Sequence, residues 1–219
     1  MRNLIVCALA LGLALGCGSD SDDNTTTNTG GDVNTGGDVN MGGAPGTGEL
    51  TCALLTDESA WTQLNKIIDT DTTLTCDKVY TLQGLTFITG GATLTIEAGT
   101  TILGGEGTAL VATQDGKLIT NGTAEAPVVL TSINAVSPNP RAAGDWGGLV
   151  LLGNAPINVE GGTNLIEGID VSNPDVPENG SQYGGEDAAY DCGSLTYTRV
   201  EFAGFELTEG NELNGVTLG

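Results

Sequence analysis

The sequence predicts an all-β chain wound as a right-handed parallel β-helix, with a short N-terminal capping helix and a disordered tether in front. Three observations carry this expectation. Short β segments recur from Val79 onward, each closed by Gly or Asn, the residues that tolerate the left-handed backbone of tight corners. Glycine is abundant, 35 of 219 residues, while aromatics make up only 4%, which argues for many turns rather than a helical bundle. The interval from Leu94 to Leu118 fits one coil of a stacked solenoid, at about 20 to 25 residues per coil.

Taken in order, residues 1–16 carry Arg2 as their only charge and an apolar run from Leu4 to Leu15. This is the layout of a secretory signal peptide, and the run is too short to span a bilayer. Ala14-Leu15-Gly16-Cys17 resembles a bacterial lipobox, which implies that Cys17 is lipidated and becomes the mature N-terminus. An anchor of more than one acyl chain holds a protein stably on a membrane. Gly18 rather than Asp after the cysteine points to the outer membrane, with the protein on the cell surface or facing the periplasm.

Residues 17–48 form the tether. They hold no Lys, Arg or aromatic residue and contain the direct repeat Thr29–Asn34 and Thr35–Asn40, a composition that cannot build a core. Residues 49–78 are expected to cap the solenoid. Thr56–Asp69 reads as a helix, capped by Thr56 or Asp57, with Trp61, Leu64, Ile67 and Ile68 on one stripe. In an exported chain Cys52 and Cys76 are expected to form a disulfide. Cys192 is either half of a bridge to a residue beyond Gly219 or a small buried side chain.

Residues 79–219 are assigned to the β-helix. Expected strands are Leu94–Ile96, Leu110–Ala112, Lys117–Ile119, Val128–Thr131, Leu149–Leu152, Thr196–Phe202 and Val216–Leu218, with Val136–Arg141 bulging out as a loop. Alternation along Thr196–Phe202 turns Val200 and Phe202 inward and Tyr197, Arg199 and Glu201 outward. These three outward residues are the candidate ligand face.

Several ordered blocks also carry a resemblance. They include Gly91-Ala-Thr-Leu-Thr-Ile-Glu-Ala-Gly-Thr-Thr-Ile102, Gly144-Asp-Trp-Gly-Gly-Leu-Val-Leu-Leu-Gly-Asn-Ala-Pro156 and Tyr197-Thr-Arg-Val-Glu-Phe-Ala-Gly204. Together they resemble a family of bacterial cell-surface β-helix lipoproteins without an established activity. The resemblance implies the fold and a surface location, and it implies that the chain continues past Gly219. It supplies no catalytic residues.

Composition narrows the chemistry further. The formal charge is −22, from 28 acidic and 6 basic residues, which repels phosphate backbones and makes nucleic acid an unsuitable partner. Histidine is absent, so His-dependent triads and imidazole metal sites are excluded. The segment Glu167–Asp191 holds Asp170, Asp175, Glu178, Glu186, Asp187 and Asp191, side chains of the type calcium takes, but in no known loop spacing. It reads as a polar excursion that keeps the protein soluble. No cofactor is therefore expected, calcium being the one ion these carboxylates suit. Tyr183 and Trp146 have rings that suit sugar stacking, with packing the assigned role for Trp146.

The functional expectation is a lipid-anchored envelope protein acting as a non-catalytic binding or adhesion module for a polysaccharide or an envelope partner. The alternatives are a polysaccharide lyase or hydrolase with part of its site outside this chain, and a purely structural envelope protein. Lyases share this fold, so the enzyme alternative is an analogy of architecture.

Overall fold

The structure is a computed structural model and describes residues 51–208 and 211–219. The expected signal peptide, Cys17 and the expected tether lie outside the described residues.

From Trp61 onward the chain winds in stacked coils. The first holds β1 (Trp61–Gln63), β2 (Ile67–Ile68) and β3 (Thr72–Leu74), the second β4 (Val79–Thr81), β5 (Leu85–Ile88) and β6 (Thr93–Glu97). The third holds β7 (Thr101–Gly104), β8 (Ala109–Ala112) and β9 (Lys117–Asn121). The fourth begins with β10 (Val128–Ser132) and β11 (Gly148–Leu151). It then makes a long excursion containing β12 (Asn164–Leu165) and β13 (Gln182–Tyr183), and closes with β14 (Gly193–Thr196). The last holds β15 (Thr198–Val200), a small hairpin of β16 (Glu206–Thr208) and β17 (Asn211–Glu212), and β18 (Val216–Leu218).

Equivalent strands of successive coils pair in parallel and form three sheets. The first is β1-β4-β7-β10-β15, the second β2-β5-β8-β11-β18, and the third β3-β6-β9-β14. Each ladder satisfies the backbone groups of strands too short to stand alone. Trp61 pairs with Val79, Val79 with Thr101, and Val129 with both Thr101 and Arg199, so the fold is the expected parallel β-helix.

Alternation turns Leu74, Leu94, Ile96, Leu118, Ile102, Leu130, Leu110 and Leu149 from all three sheets into one interior cluster. Trp146 joins it, fully buried, as expected from its position before β11. The indole Nε1 donates to the Glu201 carbonyl at 2.8 Å, so its one polar atom is satisfied.

The expected helix at Thr56–Asp69 is corrected. Only Glu58–Ala60 forms a single 3-10 turn, capped by the Asp57 carboxylate on Ser59 N, and the rest supplies β1 and β2. Leu64 and Ile68 are buried in the coil interior, whereas Ile67 is 39% exposed. A helix would have left the free edges of β4 and β5 without partners, and tertiary pairing overrides a local stripe. The expected bridge is present: Cys52 and Cys76 are disulfide-bonded, and Ala53 N donates to the Cys76 carbonyl. Cys192 is a buried thiol outside this disulfide.

The reading of Glu167–Asp191 as a purely polar excursion is also corrected. On the outer face of the second sheet, Phe87, Ala109, Val111 and Val150 form a separate apolar cluster with Leu152, Ile169 and Leu213. Ile166, Val176 and Tyr183 pack against it, so the excursion is a cover as well as a charged surface. Tyr183 is engaged in this packing rather than free to stack on a ligand. The cover is tied to the coils by Gln114 Nε2, which donates to the Gly153 and Gly184 carbonyls at 2.9 and 2.6 Å. Asn179 Nδ2 donates to Asp115 at 2.9 Å, and ion pairs join Lys66 to Asp175 and Lys117 to Asp191. Exposed ion pairs of this kind contribute little, so the apolar contact carries most of the attachment.

Candidate functional site

The third sheet leads to the first through a corner that recurs once per coil. In the third coil this corner starts at Gly122, whose N–H donates to the Thr196 carbonyl at 3.1 Å. A Cβ there would lie 2.4 Å from the Tyr197 carbonyl, so the close approach of the next coil requires glycine. Thr123 Oγ1 then accepts from Ala126 N at 3.0 Å and closes a tight turn.

One coil further, a single residue makes the same corner. The expected strand Thr196–Phe202 is in fact two strands in different sheets, β14 and β15, divided at Tyr197. Tyr197 has φ +42°, a left-handed conformation uncommon for a bulky side chain, and it projects its ring into solvent at 59% exposure. Its carbonyl still accepts from Val128 N at 3.0 Å, which fixes the corner against the coil below. Between the two turns runs an open groove of about 390 Å³ lined by Thr123, Ala124, Pro127, Tyr197, Thr198 and Arg199.

Arg199 and Glu201 are outward, as the alternation expects, and they pair directly through Nη2 and Oε1. The second carboxylate oxygen accepts from Thr131 Oγ1 at 3.1 Å and faces Arg141 Nη1 at 3.6 Å. Two arginines thus converge on one carboxylate. Phe202 departs from the expectation: its φ is +57°, and its ring lies under the Arg141 guanidinium, 4.6 Å from centroid to Cζ, instead of in the core.

The loop that delivers Arg141 is organised by Asp145. Its Oδ2 accepts from Ser132 Oγ at 2.5 Å, Ala142 N at 3.1 Å and Asn134 Nδ2 at 3.2 Å. The Ser132 hydroxyl is the main reason the carboxyl is held below the ordinary carboxylate range; burial opposes this, and the Ala142 and Asn134 bonds add to the lowering.

Sequence reasoning found Tyr197, Arg199 and Glu201, which the structure brings to one region. It did not bring Phe202, Thr123 or Pro127 to the site, and Arg141, a basic candidate along with Lys117, was not placed beside Glu201. The Gly122-Thr123 turn was a usable signal for the groove wall, whereas nothing local in the sequence places Arg141 against Glu201. Among the described residues, no cluster of three or more Cys, Asp or Glu is arranged to hold a metal ion.

This architecture defines a parallel β-helix protein with a shallow groove at a sheet corner. Residues 66–218 match the model of the pectate-lyase-like β-helix domain, and the chain belongs to that family. Comparison with curated proteins and with solved structures found no match.

Proposed function

We propose that this is a lipid-anchored cell-envelope protein whose β-helix is a binding module, taking a glycan in the groove beside Tyr197 without turning it over. The observation that carries the reading is the exposed Tyr197 ring, presented by a left-handed backbone at the rim of a groove. Nearly flat aromatic faces suit the apolar faces of sugar rings, and unusual backbone conformations in non-glycine residues concentrate at functional positions. Arg199, the basic residue in the groove, is held by Glu201, which suits a positioning role better than proton removal. The anchor at Cys17 and the outer-membrane location belong to the same proposal and rest on the residue pattern alone.

Two measurements test it. Intact mass of the protein from its own cells, read with and without lipase treatment, is expected to show acyl chains on Cys17; a mature chain without lipid overturns the anchor. Retention on immobilised glycans without release of product is expected for the β-helix. Family membership favours a second reading, a polysaccharide lyase. Loss of viscosity of a uronide polymer with calcium present, abolished in Arg199→Ala, would establish the lyase and refute the binding module.

A further inference from the structure

We propose that Asn214 is a site of spontaneous deamidation, where the chain converts itself to isoaspartate and aspartate and loosens its own last strand. This goes beyond the binding reading and stands independently of it.

The chemistry needs only water besides the chain itself. The backbone nitrogen after an asparagine attacks the side-chain carbonyl carbon, forming an N–Cγ bond and expelling the amide nitrogen as ammonia. Water then opens the cyclic imide at either carbonyl. One product is aspartate, and the other is isoaspartate, whose main chain runs through Cβ and Cγ. Glycine hinders this attack least, having no Cβ. In a folded chain, what decides between asparagines is whether the amide and the following N–H are already held by hydrogen bonds.

Three Asn-Gly pairs occur in the sequence, at 121–122, 179–180 and 214–215. Two are tied down. Asn121 lies in β9, paired with Glu97 on one side and Thr196 on the other, and the Gly122 N–H donates to the Thr196 carbonyl at 3.1 Å. Asn179 donates its amide to Asp115 at 2.9 Å, and the N–H of buried Gly180 donates to the Pro177 carbonyl at 2.8 Å. Asn214 differs on both counts. It is exposed, and among the described residues neither its amide nor the Gly215 N–H has a hydrogen-bond partner.

The consequence falls on β18. The Gly215 carbonyl accepts from Leu149 N at 3.1 Å, at the start of the β11–β18 ladder. The Asn214 and Gly215 carbonyls lie so close over Gly148 that a Cβ there would come within 2.8 and 2.5 Å of them. Isoaspartate adds one main-chain atom between these contacts and displaces the Gly215 carbonyl from Leu149. The far end of the same ladder holds the base of the cover. Gly219 N donates to the Leu151 carbonyl and Gly153 N to the Gly219 carbonyl, both at 2.9 Å, so loosening of β18 reaches the cover.

The test incubates the folded protein in mildly alkaline buffer and follows each Asn-Gly peptide by mass spectrometry, with isoaspartate methyltransferase labelling to identify the product. The Asn214 peptide is expected to gain about 1 Da. It should react roughly tenfold faster than the other two, the factor that breaking about one hydrogen bond imposes. Equal rates, or a faster Asn121 or Asn179, overturn the assignment. In urea the three are expected to react alike, and a preference that persists there overturns the role given to the fold. Gly215→Ala is the control, since its Cβ would meet only the Ala203 Cβ, at an ordinary 3.8 Å, and the fold is kept. It is expected to slow reaction at Asn214; an unchanged rate overturns attack by the Gly215 nitrogen. Aged wild type is expected to show a lowered urea midpoint, whereas Asn214→Asp, which adds the charge without the extra main-chain atom, keeps it. An unchanged midpoint in aged wild type overturns the loosening of β18.

Discussion

Phe87→Ala tests whether the excursion between β11 and β14 is a true cover. Phe87 lies on the outer side of β5, where an uncovered solenoid would leave the ring in water, yet it is fully buried among Val111, Val150, Ile169 and Leu213. Truncating a fully buried Phe typically costs 3–5 kcal/mol, taking lost transfer energy and the residual cavity together, so about 4 kcal/mol is expected here. With a urea slope of about 2 kcal/mol/M for a domain of this size, the midpoint falls by roughly 2 M. The assay is equilibrium unfolding followed by circular dichroism, paired with limited proteolysis. Gly161 and Gly162 sit in an open turn of the cover and are the expected cleavage point once it loosens. A loss below about 1 kcal/mol, with no new cleavage, would mean that Phe87 faces solvent and that the cover does not rest on the second sheet.

Three further outcomes are expected. Thr86 is fully buried on the interior side of β5, and its Oγ1 has no hydrogen-bond partner, so Thr86→Val should stabilise the fold by about 1 kcal/mol in the same unfolding assay. Replacing both Cys52 and Cys76 by Ser should lower stability by about 3 kcal/mol in the loop-entropy account, given their separation of 24 residues, read as a fall in melting temperature. Asp115 is subject to burial, which raises its pKa, but bonds from Thr113, Asn179, Gly90 and Thr89 outweigh this and hold it below 3.8. A lowered folded pKa contributes stability above the unfolded value, and that contribution is lost as pH falls from about there through the folded value. Asp115→Asn should therefore flatten the acid limb of the stability–pH curve below pH 4 and leave its shape near neutrality unchanged; an identical acid limb would refute the role given to these bonds.

What the sequence by itself determined is the solenoid and the edge on which the groove lies. Short alternating strands and regularly placed glycines are local signals, and every coil repeats them, so the pattern is legible without knowing any contact. Tyr197, Arg199 and Glu201 could be turned outward by alternation alone, and the Cys52–Cys76 pair was legible from the expectation of an exported chain. The tertiary structure decided the rest. Trp61, Leu64 and Ile68 satisfy a helical stripe and a tightly cornered coil almost equally, and the free edges of β4 and β5 settle the choice. The break at Tyr197 arises because its neighbours pair with different sheets, Thr196 with Asn121 and Thr198 with Val128. The cover over Phe87 and the convergence of Arg141 on Glu201 join residues far apart in the chain. Stacking energy between coils creates those contacts, and no periodicity within one coil encodes them.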